Sequence, residues 1–245
     1  MENVIEIRGL EKTFRDFWLK PLAKAVAGID LDVRRGEVFG LIGPNGSGKS
    51  TTIKMVLGLL TPTAGTVRLF GQPPRAKAAR AKLGYLPELS YLHPFLTAEE
   101  TVRYYAGLSG LSGAEAKRRT AVLLAQVKLE RAAKRPVGGF SKGMARRVAI
   151  AAALVSEPEL LVLDEPTSGL DPIGTREVKE LITALSAKGM TVLITSHQLF
   201  DMQDLCHRVA ILSNGRIVGG GEVSEIVERS ADKRHALEDY FAGVV

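Results

Sequence analysis

Between Gly43 and Thr51 the chain reads Gly-Pro-Asn-Gly-Ser-Gly-Lys-Ser-Thr. Gly43, Gly48, Lys49 and Ser50 fall on the spacing Gly-x4-Gly-Lys-Ser/Thr, which cradles a polyphosphate. The residue types follow from that task. Gly43, Gly46 and Gly48 allow left-handed backbone angles and a close approach, so that successive N–H groups, those of Asn45 and Ser47 among them, can surround an anion, while Pro44 shapes the loop without donating. Lys49 brings a positive charge to the outer phosphates, and the hydroxyl of Ser50, beside Thr51, can ligand Mg2+.

Two further stretches could do chemistry with a phosphate. Leu160-Leu161-Val162-Leu163 is a buried-strand pattern that ends on Asp164-Glu165. An Asp there can hold Mg2+, and a Glu next to it is placed to polarise a water for in-line attack. In Phe140 to Arg147, a Ser and a Gly (Ser141, Gly143) open a helix, which makes a second anion site out of free N–H groups and the helix dipole. His197 follows the strand pattern Val192-Leu193-Ile194 and is a further candidate.

These residues need an α/β scaffold. Val38 to Ile42 reads as the strand ahead of the glycine loop, and Thr51 to Leu60, with Ile53, Val56, Leu57 and Leu60 on one face, as the helix behind it. Val4 to Leu10 and Ala27 to Val33 read as strands, with Arg15 to Lys24 an excursion between them. Strands are expected at Thr66 to Phe70 and Leu83 to Leu86, and a helix over Arg75 to Lys82. From Thr97 the texture turns helical. Thr97-x-x-Glu100 and Ser112-x-x-Glu115 read as capping boxes that open helices to about Leu108 and Lys128, and a third helix is expected from Lys142 to Ser156. Alternation then returns, with a helix over Pro172 to Lys188, a strand at Thr191 to Thr195, a short helix near Leu199, a hairpin around Asn214-Gly215 and short helices at Glu222 to Glu228 and Ala236 to Phe241. The expectation is one domain: a nucleotide-binding core of residues 1–88 and 157–245 with a helical insert at 89–156.

Composition narrows the class. With 45% hydrophobic and 24% charged residues the chain is globular. No apolar run approaches the roughly 18 residues that span a bilayer, and Glu2, Glu6 and Arg8 exclude a signal peptide. The single Cys206 cannot form an internal disulfide, in keeping with a reducing compartment. The net charge of +6 sits in short clusters, Arg146-Arg147 among them, that lack interleaved aromatics. They read as solvated faces, and no nucleic acid is expected.

The order Gly43–Thr51, Tyr85-Leu86-Pro87-Glu88, Phe140–Met144, Leu160–Glu165, Ser168-Gly169-Leu170-Asp171 and Thr195-Ser196-His197 resembles the nucleotide-binding subunits of ABC transporters over essentially the whole length. In that family these are the Walker A loop, Q-loop, signature, Walker B strand, D-loop and switch histidine. The fold the resemblance implies is a P-loop NTPase with a RecA-like core, a small N-terminal antiparallel β part and an inserted α-helical subdomain.

The resemblance also implies roles. ATP and Mg2+ are the cofactors, with Gly43 to Thr51 on the phosphates, Ser50, Glu88 and Asp164 on the metal, Glu165 as catalytic base and His197 on the γ-phosphate. Ser141, Lys142, Gly143 and Asp171 of a second copy, or of a paralogous subunit, close an ATP-sandwich dimer. Phe14 stacks on the adenine, with Phe17 and Trp18 as alternatives. Lys142 stands where the family usually has Gly, Met144 where it has Gln, and Glu88 where it has Gln. These departures resemble the subgroup that serves ABC-2 type exporters. The implied protein is an ATPase, cytoplasmic and peripheral on the membrane, that drives integral permease subunits docked near Leu89 to Leu96. A soluble ABC-type assembly ATPase shares most of the motifs, whereas a P-loop kinase has no use for Ser141 to Met144 or His197.

Overall fold

The structure, a computed structural model, describes residues 2–245. In chain order, β1 (Asn3–Arg15) and β2 (Pro21–Arg34) form a hairpin, and β3 (Val38–Ile42) leads through the glycine loop into α1 (Lys49–Val56). β4 (Ala64–Leu69), α2 (Lys77–Arg80) and β5 (Leu83–Leu86) follow, and then a strand-free run of α3 (Ala98–Leu108), α4 (Gly113–Gln126) and α5 (Lys142–Ala153). The remaining elements are β6 (Leu160–Asp164), α6 (Pro172–Ser186), β7 (Thr191–Ser196), α7 (Leu199–Leu205), β8 (Arg208–Ser213), β9 (Arg216–Glu222), α8 (Val223–Arg229) and α9 (Ala236–Val244). They gather into two compact units, one built from the chain up to Arg80 together with Gly189–Val245, the other from Ala81–Lys188.

The first unit holds an antiparallel sheet in the order β2-β1-β4 and a layer in which β7 and β8 flank β3 in parallel, with β9 antiparallel on β8. Every residue of β3 and of β7 is buried. That explains their near-continuous apolar character, because a parallel strand is covered on both faces. Asn214 and Gly215 turn β8 into β9 with φ of +48° and +74°, a left-handed pair that this dipeptide tolerates well. Cys206, buried just after α7, has its thiol pushed far up by burial and serves as a small apolar filler.

The expected excursion at Arg15 to Lys24 is instead the tip of a long hairpin. β1 continues to Arg15, and β2 starts at Pro21 directly opposite it. Asp16 closes the turn: its amide donates to the Lys20 carbonyl at 2.9 Å, and its carboxylate accepts the Lys20 amide at 2.8 Å. The helix behind the glycine loop is also shorter than its apolar spacing implies. It ends at Val56, because Gly58 takes up φ +69° and turns the chain.

In the second unit β5 pairs in parallel with β6, from Leu83 opposite Leu160 to Leu86 opposite Leu163. The capping box of α3 is present: the Glu100 amide donates to Thr97 Oγ1 at 3.1 Å, and the Thr97 amide donates back to the Glu100 carboxylate at 2.9 Å. The box expected at Ser112 does not form. Glu115 turns away to Arg118 and Arg119, at 2.7 and 3.1 Å, so the charge pairs on α4 outcompete the cap. Along α5 every residue from Arg147 to Ala152 is buried, the core helix of this unit.

Candidate functional site

In the first unit, β3 delivers the chain into a loop that cannot be built without its glycines. A methyl group on Gly43 (φ +157°) would collide with the Leu212 carbonyl oxygen, and one on Gly48 (φ +110°) with that of Ala25. The loop is therefore held between β8 and β2. Gly215 ties it further, donating its amide to the Ser47 carbonyl at 2.9 Å while its own carbonyl accepts from the Ala27 amide at 2.8 Å. Gly48 is the N-cap of α1, so no side chain caps that helix, and its first turn carries no acid. Lys49 is buried, and its ammonium donates to the carbonyls of Gly43 and Pro44 at 2.6 and 3.1 Å.

Two other expected residues belong to this unit. β3 and β7 run in parallel with Ile42 opposite Ser196, so Gly43 and His197 leave the same end of the sheet from adjacent strands. His197 is exposed there. Ligands of open α/β sheets bind at the carboxyl ends of the strands. Phe14 is opposite Ala23, two residues from the Ala25 carbonyl that packs on Gly48, and is 41% exposed. Phe17 and Trp18 lie beyond it at the hairpin turn.

In the second unit, β6 carries Asp164 and Glu165 to the end of its strand, both buried. Glu165 adopts φ +50°, a conformation that a residue with a long side chain holds only when its surroundings impose it. Because Leu86 is opposite Leu163, the loop after β5 brings Pro87 and Glu88 to the same end. Arg146 of α5 fixes this loop, donating to the carbonyls of Pro87 at 3.2 Å and Glu88 at 3.0 Å. Burial lowers the Arg146 pKa, while the carboxylates of Glu88 and Asp164 oppose the shift. Tyr85 senses the same field: burial first, then Asp164 and Glu88, raise its phenol.

The N-terminus of α5 is exposed at Ser141 and Lys142 and has no acid in its first turn. The Ser141 hydroxyl caps it, accepting from the Met144 amide at 3.2 Å. Gly143 is buried, and a methyl group there would press on the Gly174 Cα at 3.1 Å, so part of its purpose is close packing of α5 on α6. Asp171 caps α6, accepting from the Gly174 amide at 2.6 Å.

A polyphosphate fits the first unit's loop. It is an uncapped helix start with a lysine beside it, and the Ser47 hydroxyl is buried there without a hydrogen-bond partner. Among the described residues no three His, Cys, Asp or Glu converge as a metal centre. Ser50 in the first unit, and Asp164 and Glu88 in the second, each offer an oxygen of the kind that Mg2+ binds beside substrate phosphates and water.

Sequence reasoning missed the Arg146-Arg147 pair, which read as a solvated cluster. Arg147 is buried, donates to the Val127 carbonyl at 2.8 Å and pairs with Glu177 at 3.1 Å, tying α5 to the end of α4 and to α6. The only signal was the position of the pair on the alanine-rich face of α5. The support given to the loop by Gly215 was missed as well, because a hairpin turn says nothing about what rests on it.

A strand, a glycine loop gripping a buried lysine and a helix without a capping side chain define a P-loop nucleotide-binding fold. The family model described as ABC transporter matches residues 26–168. The chain is 38% identical over 92% of its length to an uncharacterized ABC transporter ATP-binding protein of Synechocystis sp., of whose length it spans 64%. It is 40% identical over 91% of its length to the Nod factor export ATP-binding protein I of Burkholderia orbicola, spanning 72% of that protein. The chain belongs to the ABC transporter family, as one of its ATP-binding cassettes. Among solved structures, an ATP-binding subunit of an ABC transporter superposes with a TM-score of 0.79 at 34% identity, covering 98% of both chains. CbiO1 of Clostridium perfringens, part of the transporter complex cbiONQ, gives 0.83 at 28% identity over 94% of this chain and 92% of its own. A dimeric cassette in a post-hydrolysis state, bound to ADP and Pi, gives 0.79 at 27% identity over 89% of this chain and 98% of its own.

Proposed function

We propose that this cassette hydrolyses ATP in a head-to-tail pair and thereby drives export through separate membrane subunits. The observation that carries the proposal is the serine-capped, acid-free and exposed start of α5, in a chain that also has a phosphate loop. Such a helix start is an anion site that the loop's own unit does not contain. A second copy gives it a ligand: Ser141, Lys142 and Gly143 of one copy facing ATP held by Gly43 to Thr51 of the other, with Asp171 at the same junction. The dimeric relative bound to ADP and Pi supports the pairing of two cassettes.

Bound ATP supplies the phosphoanhydride that is cleaved, and Mg2+ supplies charge that neutralises its oxygens. Lys49 exchanges the Gly43 and Pro44 carbonyls for phosphate oxygens. Ser50, Asp164 and Glu88 are the residues that would hold the metal. Glu165 accepts the proton of the attacking water, and His197 donates a hydrogen bond to the phosphoryl oxygens. Phe14, rather than Phe17 or Trp18, stacks on the adenine, because it alone is placed beside the strand that packs on Gly48.

Coupling to a membrane subunit is supported by an apolar surface in the second unit. Leu89, Tyr91 and Phe95 are 64, 87 and 82% exposed, beside a cavity of about 110 Å3 lined by Tyr85, Pro87, Ser90, Tyr91 and Tyr105. Export is supported by the relatives named for Nod factor export. The experiment is recovery of partners from detergent-solubilised native membranes with the Glu165→Gln protein held in ATP. A stoichiometric integral membrane protein, lost on joint substitution of Tyr91 and Phe95, is the expected result. Recovery of soluble partners alone would replace the transporter with an assembly ATPase.

A further inference from the structure

The β1–β2 hairpin carries a surface that nucleotide chemistry does not use. From Arg15 to Lys24 every residue but Asp16 is exposed. Phe17, Trp18, Leu19 and Leu22 are 90, 76, 72 and 69% exposed, and the rings of Phe17 and Trp18 meet edge to face at 5.3 Å. A soluble surface does not normally gather four large apolar side chains at one point. The turn is nevertheless firmly built, through the Asp16–Lys20 hydrogen bonds and through Arg15, which donates to the Leu19 carbonyl at 2.8 Å. Leu19 itself is held at φ +62°. A left-handed leucine at an exposed apex spends conformational energy on displaying an apolar side chain.

The charges around the tip indicate what covers it. Arg15, Lys20 and Lys24 flank the apolar residues against a single acid, Asp16, whose carboxylate is turned into the turn. Lys24 is paired with Glu11 at 3.0 Å, which leaves Arg15 and Lys20 as the cations nearest the apex. Aromatic and leucine side chains leading, with cations immediately behind, follow the profile of a bilayer interface, where rings sit among the headgroups and Lys and Arg meet lipid phosphates. We propose that the Phe17-Trp18-Leu19 tip of the hairpin inserts into the interface of an anionic lipid bilayer, giving the cassette a membrane contact of its own. This does not depend on the ATPase or on any permease, since it concerns the isolated chain and a lipid surface.

Trp18 is the only tryptophan in the chain, so its fluorescence reports the tip alone. The intact protein is titrated with vesicles of phosphatidylcholine mixed with phosphatidylglycerol, and with phosphatidylcholine alone. The expected result is a blue shift of Trp18 emission and protection from acrylamide on the anionic vesicles only. Lys20→Gln should weaken partitioning about fivefold, the share of one cation near such a surface. In co-sedimentation, Phe17→Ser with Leu22→Ser should abolish binding while the thermal midpoint of the protein stays unchanged. An emission spectrum unmoved by anionic vesicles, or binding that survives Phe17→Ser with Leu22→Ser, would overturn the proposal and leave the tip to a protein partner.

Discussion

The Lys49 ammonium donates to the Gly43 carbonyl at 2.6 Å, a hydrogen bond within the loop that Lys49 itself closes. A buried cation needs acceptors, and here the loop backbone supplies them. Phosphate oxygens must displace these carbonyls, trading a neutral acceptor for a charged one. Lys49→Ala should therefore weaken ATP binding by about 10- to 150-fold, the equivalent of the 1.5–3 kcal/mol of a charged hydrogen bond. Calorimetric titration checks this, and unaltered affinity would remove Lys49 from the phosphates.

Gly48 has no room for a side chain, because the Ala25 carbonyl occupies the place of its Cβ, and its φ is +110°. Gly48→Ala should lower stability by roughly 2–4 kcal/mol, combining overpacking with backbone strain, and should also weaken ATP binding because the loop must shift. Urea unfolding with a parallel nucleotide titration measures both. A variant as stable as the parent would mean that the contact between loop and β2 is not tight.

Ser141 has two roles that can be separated. As the cap of α5 it is worth about 1 kcal/mol, which Ser141→Ala should lose. Ser141→Asp should keep the cap, since aspartate accepts the same amide bond and favours the helix dipole. Its charge would repel a polyphosphate from a second copy. The expected outcome is a stable Ser141→Asp protein whose monomer binds ATP normally but whose turnover collapses. Normal turnover would place the α5 N-terminus away from nucleotide.

Arg146 holds the loop of Pro87 and Glu88 through two backbone carbonyls. Arg146→Ala should speed amide hydrogen exchange across residues 87–92 with little change in α5, which Arg147 continues to anchor. Exchange unchanged in that segment would show that the loop is held by other contacts.

What could be read from the sequence was whatever a local rule determines. Gly43 to Ser50 names its own chemistry by spacing, Thr97-x-x-Glu100 its own cap, and Leu160 to Leu163 its own burial. The misses are places where a distant partner decides. Glu115 had Arg118 and Arg119 to choose over a capping bond. Arg15 to Lys24 reads as a break because strand pairing with no face buried leaves no alternation. Arg147 looks like a surface cation until Val127 and Glu177 surround it. For the site, the type of each group was legible, whereas its support was not: Leu212 and Ala25 from their strands, and Gly215 from a hairpin turn, shape the phosphate loop.

Glu165 is the residue on which the account turns, a buried carboxylate at the end of β6 held at φ +50°. The decisive measurement is on Glu165→Gln: phosphate release, ATP affinity and molar mass by light scattering with and without ATP. The account predicts that affinity is kept, turnover falls about 100- to 10,000-fold for loss of a general base, and mass doubles in ATP alone. Turnover near that of the parent, or a protein that stays monomeric at saturating ATP, would contradict it.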